Sequence, residues 1–183
     1  MAKIIGLCGL NCSGKTTALK FFESKGYYTF SLSDIIRQEL RDGNKQITRE
    51  NMRVCGNDLR KELGEGCLAK KALELISKKT DFQNFIVDSI RHPEEVKELR
   101  KNKAFTLLCV SSPVEERFKR MIQRKRDDDD PITLEKFIEQ EKKEFESSDP
   151  SAQQNKATME LADQVVENLG STEDFEEKLK KFL

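Results

Sequence analysis

Gly9-Leu10-Asn11-Cys12-Ser13-Gly14-Lys15-Thr16 decides how the rest of this chain is read. The spacing Gly-x-x-x-x-Gly-Lys-Thr places glycines where a backbone must turn with its N–H groups inward, then a lysine, then a hydroxyl. The apolar run Lys3 to Cys8 precedes it and reads as a strand; a helical pattern from Thr16 to Ser24 follows. In that context the inward N–H groups and the positive helix N-terminus make an anion cradle. Gly9, Leu10, Asn11, Cys12, Ser13, Gly14, Lys15, Thr16 and Thr17 are therefore candidate binders of the phosphates of a nucleoside triphosphate, ATP first. Lys15 brings a full charge to the β- and γ-phosphates, and the Thr16 hydroxyl completes a Mg²⁺ shell.

Outward from this loop, short apolar runs alternate with longer helical patterns, which predicts an α/β domain with a parallel sheet. Strands are expected at Lys3 to Cys8, Tyr27 to Phe30, Phe85 to Asp88, Phe105 to Val110 and Gln164 to Glu167. Helices are expected at Leu32 to Leu40, Thr48 to Leu63, Cys67 to Lys78, Glu94 to Arg100, Val114 to Lys125, Leu134 to Phe145 and Asp174 to Phe182. Residues 1–183 read as one domain with no repeat or long linker. Two breaks interrupt it: the acidic turn Arg126-Asp127-Asp128-Asp129-Asp130-Pro131 and the loop Ser147-Ser148-Asp149-Pro150. The charged helix between them suggests a lid over about residues 120–147.

Lys plus Arg and Asp plus Glu both number 33 of 183 residues, so no global basic field invites nucleic acid. No apolar run approaches the roughly 18 residues of a membrane span, and a strand starting at Lys3 leaves no room for a signal peptide. The five cysteines are scattered, without a CxxC pair, and the single histidine, His92, is near none of them. Zinc is not expected; reduced thiols in a cytosolic or nuclear protein are.

Phosphoryl transfer needs an acceptor held in line and positive charge around the moving group. A second anion site is expected at Ser33-Asp34-Ile35-Ile36-Arg37, where Ser33 could cap a helix carrying Arg37 one turn in. Arg53 and Arg60 share a helix face farther on. Asp88 ends the third strand, at the sheet edge where such folds bind ligands, and would face the water shell of Mg²⁺; Arg91 would reach the same crevice. Arg117, Arg120 and Arg124 lie on one helix face leading to Arg126, a set of guanidiniums suited to clamping the γ-phosphoryl.

Together these segments resemble the nucleoside monophosphate kinase superfamily of P-loop kinases over nearly the whole chain. Ser33 to Arg37 is similar to the segment that begins the monophosphate-binding helices. Asp88-Ser89-Ile90-Arg91 is similar to the superfamily's Asp-x-x-Arg, and Ser111-Ser112-Pro113 with the arginines after it to the start of its lid. A narrower resemblance runs to the archaeal-type adenylate-kinase-like, dephospho-CoA-kinase-like proteins. It rests on Gly56-x-x-x-Arg60-x-x-x-Gly64, Asp88 to Arg91, Arg126-Asp127-Asp128 and a short lid. Gln140-Glu141 stands where that family often has an Arg-Asp pair.

The resemblance implies a three-layer αβα P-loop NTPase fold, a five-stranded parallel sheet in the order 2-3-1-4-5 and a short lid. It implies an ATP- and Mg²⁺-dependent kinase acting on a nucleoside monophosphate or similar phosphate-bearing small molecule. Lys15, Arg120, Arg124 and Asp88 would be catalytic, and Thr16 and Asp88 would serve the metal. Asp34, Arg37, Arg60 and Arg91 would hold the acceptor within helices at about residues 31–80. The turn carrying Asn168 and Gly170, with Arg120, would lie near the donor's base. Two alternatives stand: a dephospho-CoA kinase with Asp34 as base, and a nucleotide-binding regulatory module with little turnover.

Overall fold

The computed structural model describes residues 2–124, 133–145 and 147–183. Arg126 and the acidic turn Asp127 to Asp130 lie outside the described residues.

The sheet begins with β1 (Lys3–Cys8), whose side chains are buried on both faces from Ile4 onward. Such a run suits only a central strand. It pairs in parallel with β3 (Asn84–Asp88) on one side and β4 (Phe105–Ser111) on the other. β2 (Tyr28–Ser31) pairs with β3, and β5 (Gln164–Glu167) with β4, also in parallel. The order is β2-β3-β1-β4-β5, as the resemblance implied.

Successive side chains along a strand face opposite ways, and the core divides accordingly. Ile4, Phe85, Val87 and Leu107 join one apolar layer with Leu32, Ile36, Leu68 and Leu99. Ile5, Leu7, Ile86, Leu108 and Val110 join the other with Phe21, Phe22, Phe175 and Leu179. Helices α2 (Leu32–Asp42), α4 (Cys67–Ser77) and α5 (Pro93–Leu99) supply the first layer. Helices α1 (Lys15–Ser24) and α9 (Thr172–Leu179) supply the second. A sheet sandwiched between two helical layers follows directly from this alternation.

α3 (Arg49–Leu63) packs on α2, while α6 (Val114–Arg124) packs with α7 (Leu134–Phe145) and bonds to the loop after β1. Three details depart from expectation. The cap of α2 is Ser31, not Ser33: the Ser31 hydroxyl accepts from the Ser33 N–H, and Asp34 completes a capping box. A short helix α8 (Asn155–Glu160) stands where no element was expected; its start carries no side-chain cap. The C-terminal helix begins at Thr172, two residues early, because Ser171 and Asp174 form a capping box. It ends at Leu179 in a single 3-10 turn, Lys180–Phe182.

No helix among the described residues is long and apolar enough to cross a membrane. All five cysteines are free thiols.

Candidate functional site

The loop between β1 and α1 is held in shape from behind. Gly9 has φ 130° and Gly14 φ 117°, conformations that strain any residue with a Cβ. A Cβ on Gly9 would fall 2.3 Å from the Val110 carbonyl oxygen, and one on Gly14 would fall 2.2 Å from Asn168 Nδ2. Asn168, buried at the end of β5, donates from Nδ2 to the Ser13 carbonyl at 2.9 Å, and its own N–H donates to Ser111 O at 2.8 Å. The glycines thus let the loop lie flat on β4 and β5.

Arg120 binds the same surface. Its Nη1 donates to the Cys12 and Ser13 carbonyls at 3.4 and 3.3 Å, and its Nη2 donates to Asn168 O at 3.0 Å. Arg117 donates from Nη1 to Asn11 O at 3.3 Å and forms a buried ion pair with Glu141. The arginines expected to act as one cluster therefore divide. Arg117 and Arg120 fasten α6 to the loop, and Arg124, the last residue of α6, faces a cavity. Gly170 sits in the turn between Asn168 and the α9 cap, with space for a Cβ taken by Asp174 Oδ2 at 2.8 Å.

Inside the loop, Lys15 curls back and donates to Gly9 O at 2.8 Å and Leu10 O at 2.9 Å. Burial pushes its pKa down, and the nearby Asp88 carboxylate opposes that. Thr16 is exposed at the helix start. Asp88, 8% exposed at the carboxyl end of β3, has one oxygen, Oδ1, buried without a hydrogen-bond partner. Ser13 Oγ is a second such atom. Buried polar atoms are normally satisfied, so two orphans at one phosphate loop point to a polar ligand. Among the described residues no group of three His, Cys, Asp or Glu side chains could hold a metal by itself. Asp88 with Thr16 suits a hard cation that takes its remaining oxygens from a bound nucleotide and water.

Next to the loop lies a cavity of about 260 Å³. Gly9, Leu10 and Asn11 form one wall, so it is continuous with the phosphate loop. Among the described residues, Arg37, Arg49, Arg53, Arg60, Arg91 and Arg124 line it, with Glu141 as the one acid. Leu32, Ile36, Met52 and Leu68 give an aliphatic floor, and Gln153 and Asn155 bring amides from the segment before and into α8. These six guanidiniums come from α2, α3, the turn after β3 and α6.

Arg60 is 3% exposed and paired with Glu95, 0% exposed, its Nη2 donating to Oε1 at 2.9 Å. The other Glu95 oxygen accepts from the Arg91 and His92 N–H groups at 2.9 and 3.2 Å. One buried carboxylate thus sets both Arg60 and the Arg91 backbone. Arg91 Nη1 donates to Gln153 Oε1 at 2.8 Å. His92 Nδ1 accepts from the Glu94 N–H, and Nε2 pairs with Pro150 O at 2.8 Å, so the ring serves as a helix cap and loop anchor.

Asp34 is placed differently from the residues expected beside it. One oxygen accepts from the Ser31 N–H and the other from Arg37 Nη1 at 2.5 Å; its side chain is 61% exposed and does not line the cavity. The geometry gives it a cap, not a base's position. Conversely, Arg49, Gln153 and Asn155 line the cavity without having been singled out. Arg49 and Arg53 carried a usable signal, a four-residue spacing that puts them on one face just after a Thr48 cap. The amides carried none.

The family described as "AAA domain" matches residues 8–137. The UPF0200 protein of Thermococcus kodakarensis is 32% identical over 184 residues, with 98% of this chain and 96% of that protein covered. A UPF0200/UPF0201 protein of Archaeoglobus fulgidus is 32% identical over 184 residues, with 99% of this chain covered; this chain spans 55% of that relative's length. Among solved structures, TT1252 from Thermus thermophilus superposes with a TM-score of 0.63 at 19% identity, covering 99% of this chain and 96% of that one. A Mycobacterium tuberculosis APS kinase, CysC, gives 0.54 at 16%, covering 98% and 96%. A dephospho-CoA kinase from Campylobacter jejuni gives 0.51 at 16%, covering 99% and 95%. At these identities the structures are similar in fold.

Proposed function

This chain belongs to the UPF0200 family of P-loop, AAA-domain proteins with a kinase-like fold, and on that premise we propose that it is an ATP- and Mg²⁺-dependent kinase whose acceptor is a nucleoside monophosphate or a similar phosphate-bearing small molecule. One observation carries the reading: the phosphate loop and six arginines line one continuous cavity. A nucleotide binder that only senses ATP has no use for a second anion site opening onto the first. A kinase needs both, because its binding energy goes into holding two anions against their mutual repulsion.

In this mechanism the N–H groups of the loop and the Lys15 ammonium hold the β- and γ-phosphates. Lys15 leaves the Gly9 and Leu10 carbonyls for the stronger charge-assisted partner. Arg60 and Arg91, preset by Glu95, receive the acceptor's phosphate, with Arg37, Arg49 and Arg53 around it. An acceptor oxygen then bonds to the γ-phosphorus as the bond to the β–γ bridging oxygen breaks, and ADP leaves. Arg124 stands where charge on the moving group can be met. Mg²⁺, when bound, neutralises charge on the phosphate oxygens, with Thr16 as ligand and Asp88 meeting its water shell.

The APS kinase similar in fold was solved with AMPPNP and APS together. That two-ligand arrangement is consistent with two anion sites side by side. Asp34 in its cap does not favour a hydroxyl acceptor activated by that residue. The test is γ-labelled ATP offered with a panel of nucleoside monophosphates and with dephospho-CoA. Label moving to a monophosphate supports the proposal; label moving to dephospho-CoA selects the alternative enzyme. Tight ATP binding with transfer to nothing overturns both in favour of a regulatory module.

A further inference from the structure

Ser89 follows Asp88 at the end of β3 and lines the same cavity as Gly9 to Asn11 and the arginines. Its φ is 62°, one of three positive values at non-glycine residues in the described chain. Left-handed backbone costs any residue with a Cβ, and such strain persists where the surroundings hold it for a purpose. Glycine would take the same conformation without strain.

The hydroxyl shows what the strain supports. Ser89 Oγ donates to Asp88 Oδ2 at 3.1 Å and accepts from Ser31 Oγ at 2.8 Å. Ser31 Oγ in turn accepts from the Ser33 N–H at 3.2 Å. Ser31 and Asp88 are register partners across β2 and β3, so the two strands present these groups side by side. The result is a directed chain of hydrogen bonds from the first turn of α2, through two hydroxyls, to one oxygen of Asp88. The other oxygen, Oδ1, is buried and has no partner. A carboxylate held by one oxygen alone keeps its second aimed, and every hydrogen bond in the chain points the same way.

We propose that Ser89 is a positioning residue: its strained backbone holds the hydroxyl that fixes Asp88 through Oδ2 and leaves the buried Oδ1 unpartnered for the Mg²⁺ water shell, and Ser31 ties that carboxylate to the acceptor helix α2. This rests on the kinase reading above, because it assigns Asp88 to the metal. Outer partners that orient a metal-facing group typically matter 10- to 100-fold. Ser89 thereby links the start of the acceptor site to the metal end of the donor site.

The experiment measures Mn²⁺ uptake by the full chain with ATP, as the loss of free Mn²⁺ signal in electron paramagnetic resonance beyond that caused by the same ATP without protein, beside thermal unfolding without ligands. Ser89→Ala and Ser89→Gly should each weaken Mn²⁺ uptake in the presence of ATP about tenfold. ATP affinity without a divalent ion should stay near the wild-type value. Ser89→Gly should melt about 2–4 °C above Ser89→Ala, since both lack the hydroxyl and only the alanine keeps the strain. In an Asp88→Asn background, Ser89→Ala should add little further loss, because Ser89 acts through Asp88. Wild-type Mn²⁺ uptake that persists in both single variants overturns the role of Ser89 alone. A full additional tenfold loss in the Asp88→Asn background overturns it too. Wild-type protein that takes up no Mn²⁺ with ATP overturns the kinase reading and this inference together.

Discussion

Under the proposed kinase reading, the donor and acceptor halves of the candidate site are built in different ways. The donor half is backbone: eight consecutive residues whose turn is set by Gly9 and Gly14 and braced from behind by Asn168, Arg117 and Arg120. The acceptor half is side chains: arginines gathered from α2, α3, the turn after β3 and α6, and ordered by buried carboxylates such as Glu95. A backbone cradle suits a ligand group that never varies, the phosphate chain of a nucleotide. A cavity of side chains on separate elements can be altered one residue at a time, which suits the partner whose identity differs between relatives of one fold.

This contrast is broken most severely at Lys15. It is the one side chain of the donor half that should act on the transferred phosphoryl itself. Lys15→Met should lower transfer by about 10³-fold or more, at the upper end for one preorganised charge. The fold should survive, because Lys15 is only partly buried and its present bonds are to its own loop. Radiolabel transfer under saturating ATP checks the first, and thermal unfolding the second. Residual transfer near the wild-type rate would mean that the backbone cradle suffices without its lysine.

Arg60 should show the opposite signature, a stability effect first. Removing it leaves Glu95, fully buried, without its counter-charge, and breaking such a pair typically costs about 3–5 kcal/mol. Arg60→Met should therefore lower unfolding free energy by about 3 kcal/mol in urea titration. Restoring an apolar pair with Arg60→Met and Glu95→Leu together should recover part of this, less what the Arg91 and His92 N–H groups lose. A variant that unfolds like wild type would show that the acceptor half does not depend on that pair.

Arg53 is the milder probe of the same half. It is 46% exposed and paired with Glu50 three residues earlier, so its charge is screened. Arg53→Ala should raise the acceptor KM about tenfold, worth about 1.4 kcal/mol, with kcat and the ATP KM nearly unchanged. Raising salt should shrink the difference between variant and wild type. An equal rise in both KM values would erase the division into two halves.

The same division explains what could be read from residues in order. The phosphate loop and β1 were legible because they rest on a short spacing and on a run of apolar residues; the sheet order came only through the resemblance those motifs carry. Asp88 and Arg91 could be nominated from their places at a strand end, and Arg60 from the helix face it shares with Arg53. What could not be read depends on partners far apart in sequence. Glu95 lies 35 residues from Arg60, and Gln153 lies 62 from Arg91. Arg120 could be placed on a face of α6, but only the fold shows that face turned to the Cys12 and Ser13 carbonyls. Asp34 was misleading for a local reason: the capping box that occupies it is centred on Ser31, and Ser33 two residues on looks equally capable of capping.

The smallest expected effect is a fraction of a proton, and it belongs to the donor half alone. Burial lowers the Lys15 pKa in the unliganded protein, while the phosphates of a nucleotide would raise it again by stabilising the ammonium. Between those two values the free protein has partly lost a proton that the complex retains. ATP binding should then take up protons, increasingly as the pH climbs toward and past the free-state value and not at all well below it. The same sign holds for stability: the unfolded chain, with an ordinary lysine, binds more protons in that window, so burying Lys15 costs less as pH rises. Titration calorimetry in two buffers of different ionisation enthalpy reads the uptake directly. Lys15→Met should abolish the alkaline component, whereas Arg53→Ala should leave it intact, because the guanidinium stays charged throughout. Uptake lost equally in both variants would mean that the proton is not held at Lys15 and that the two halves titrate as one.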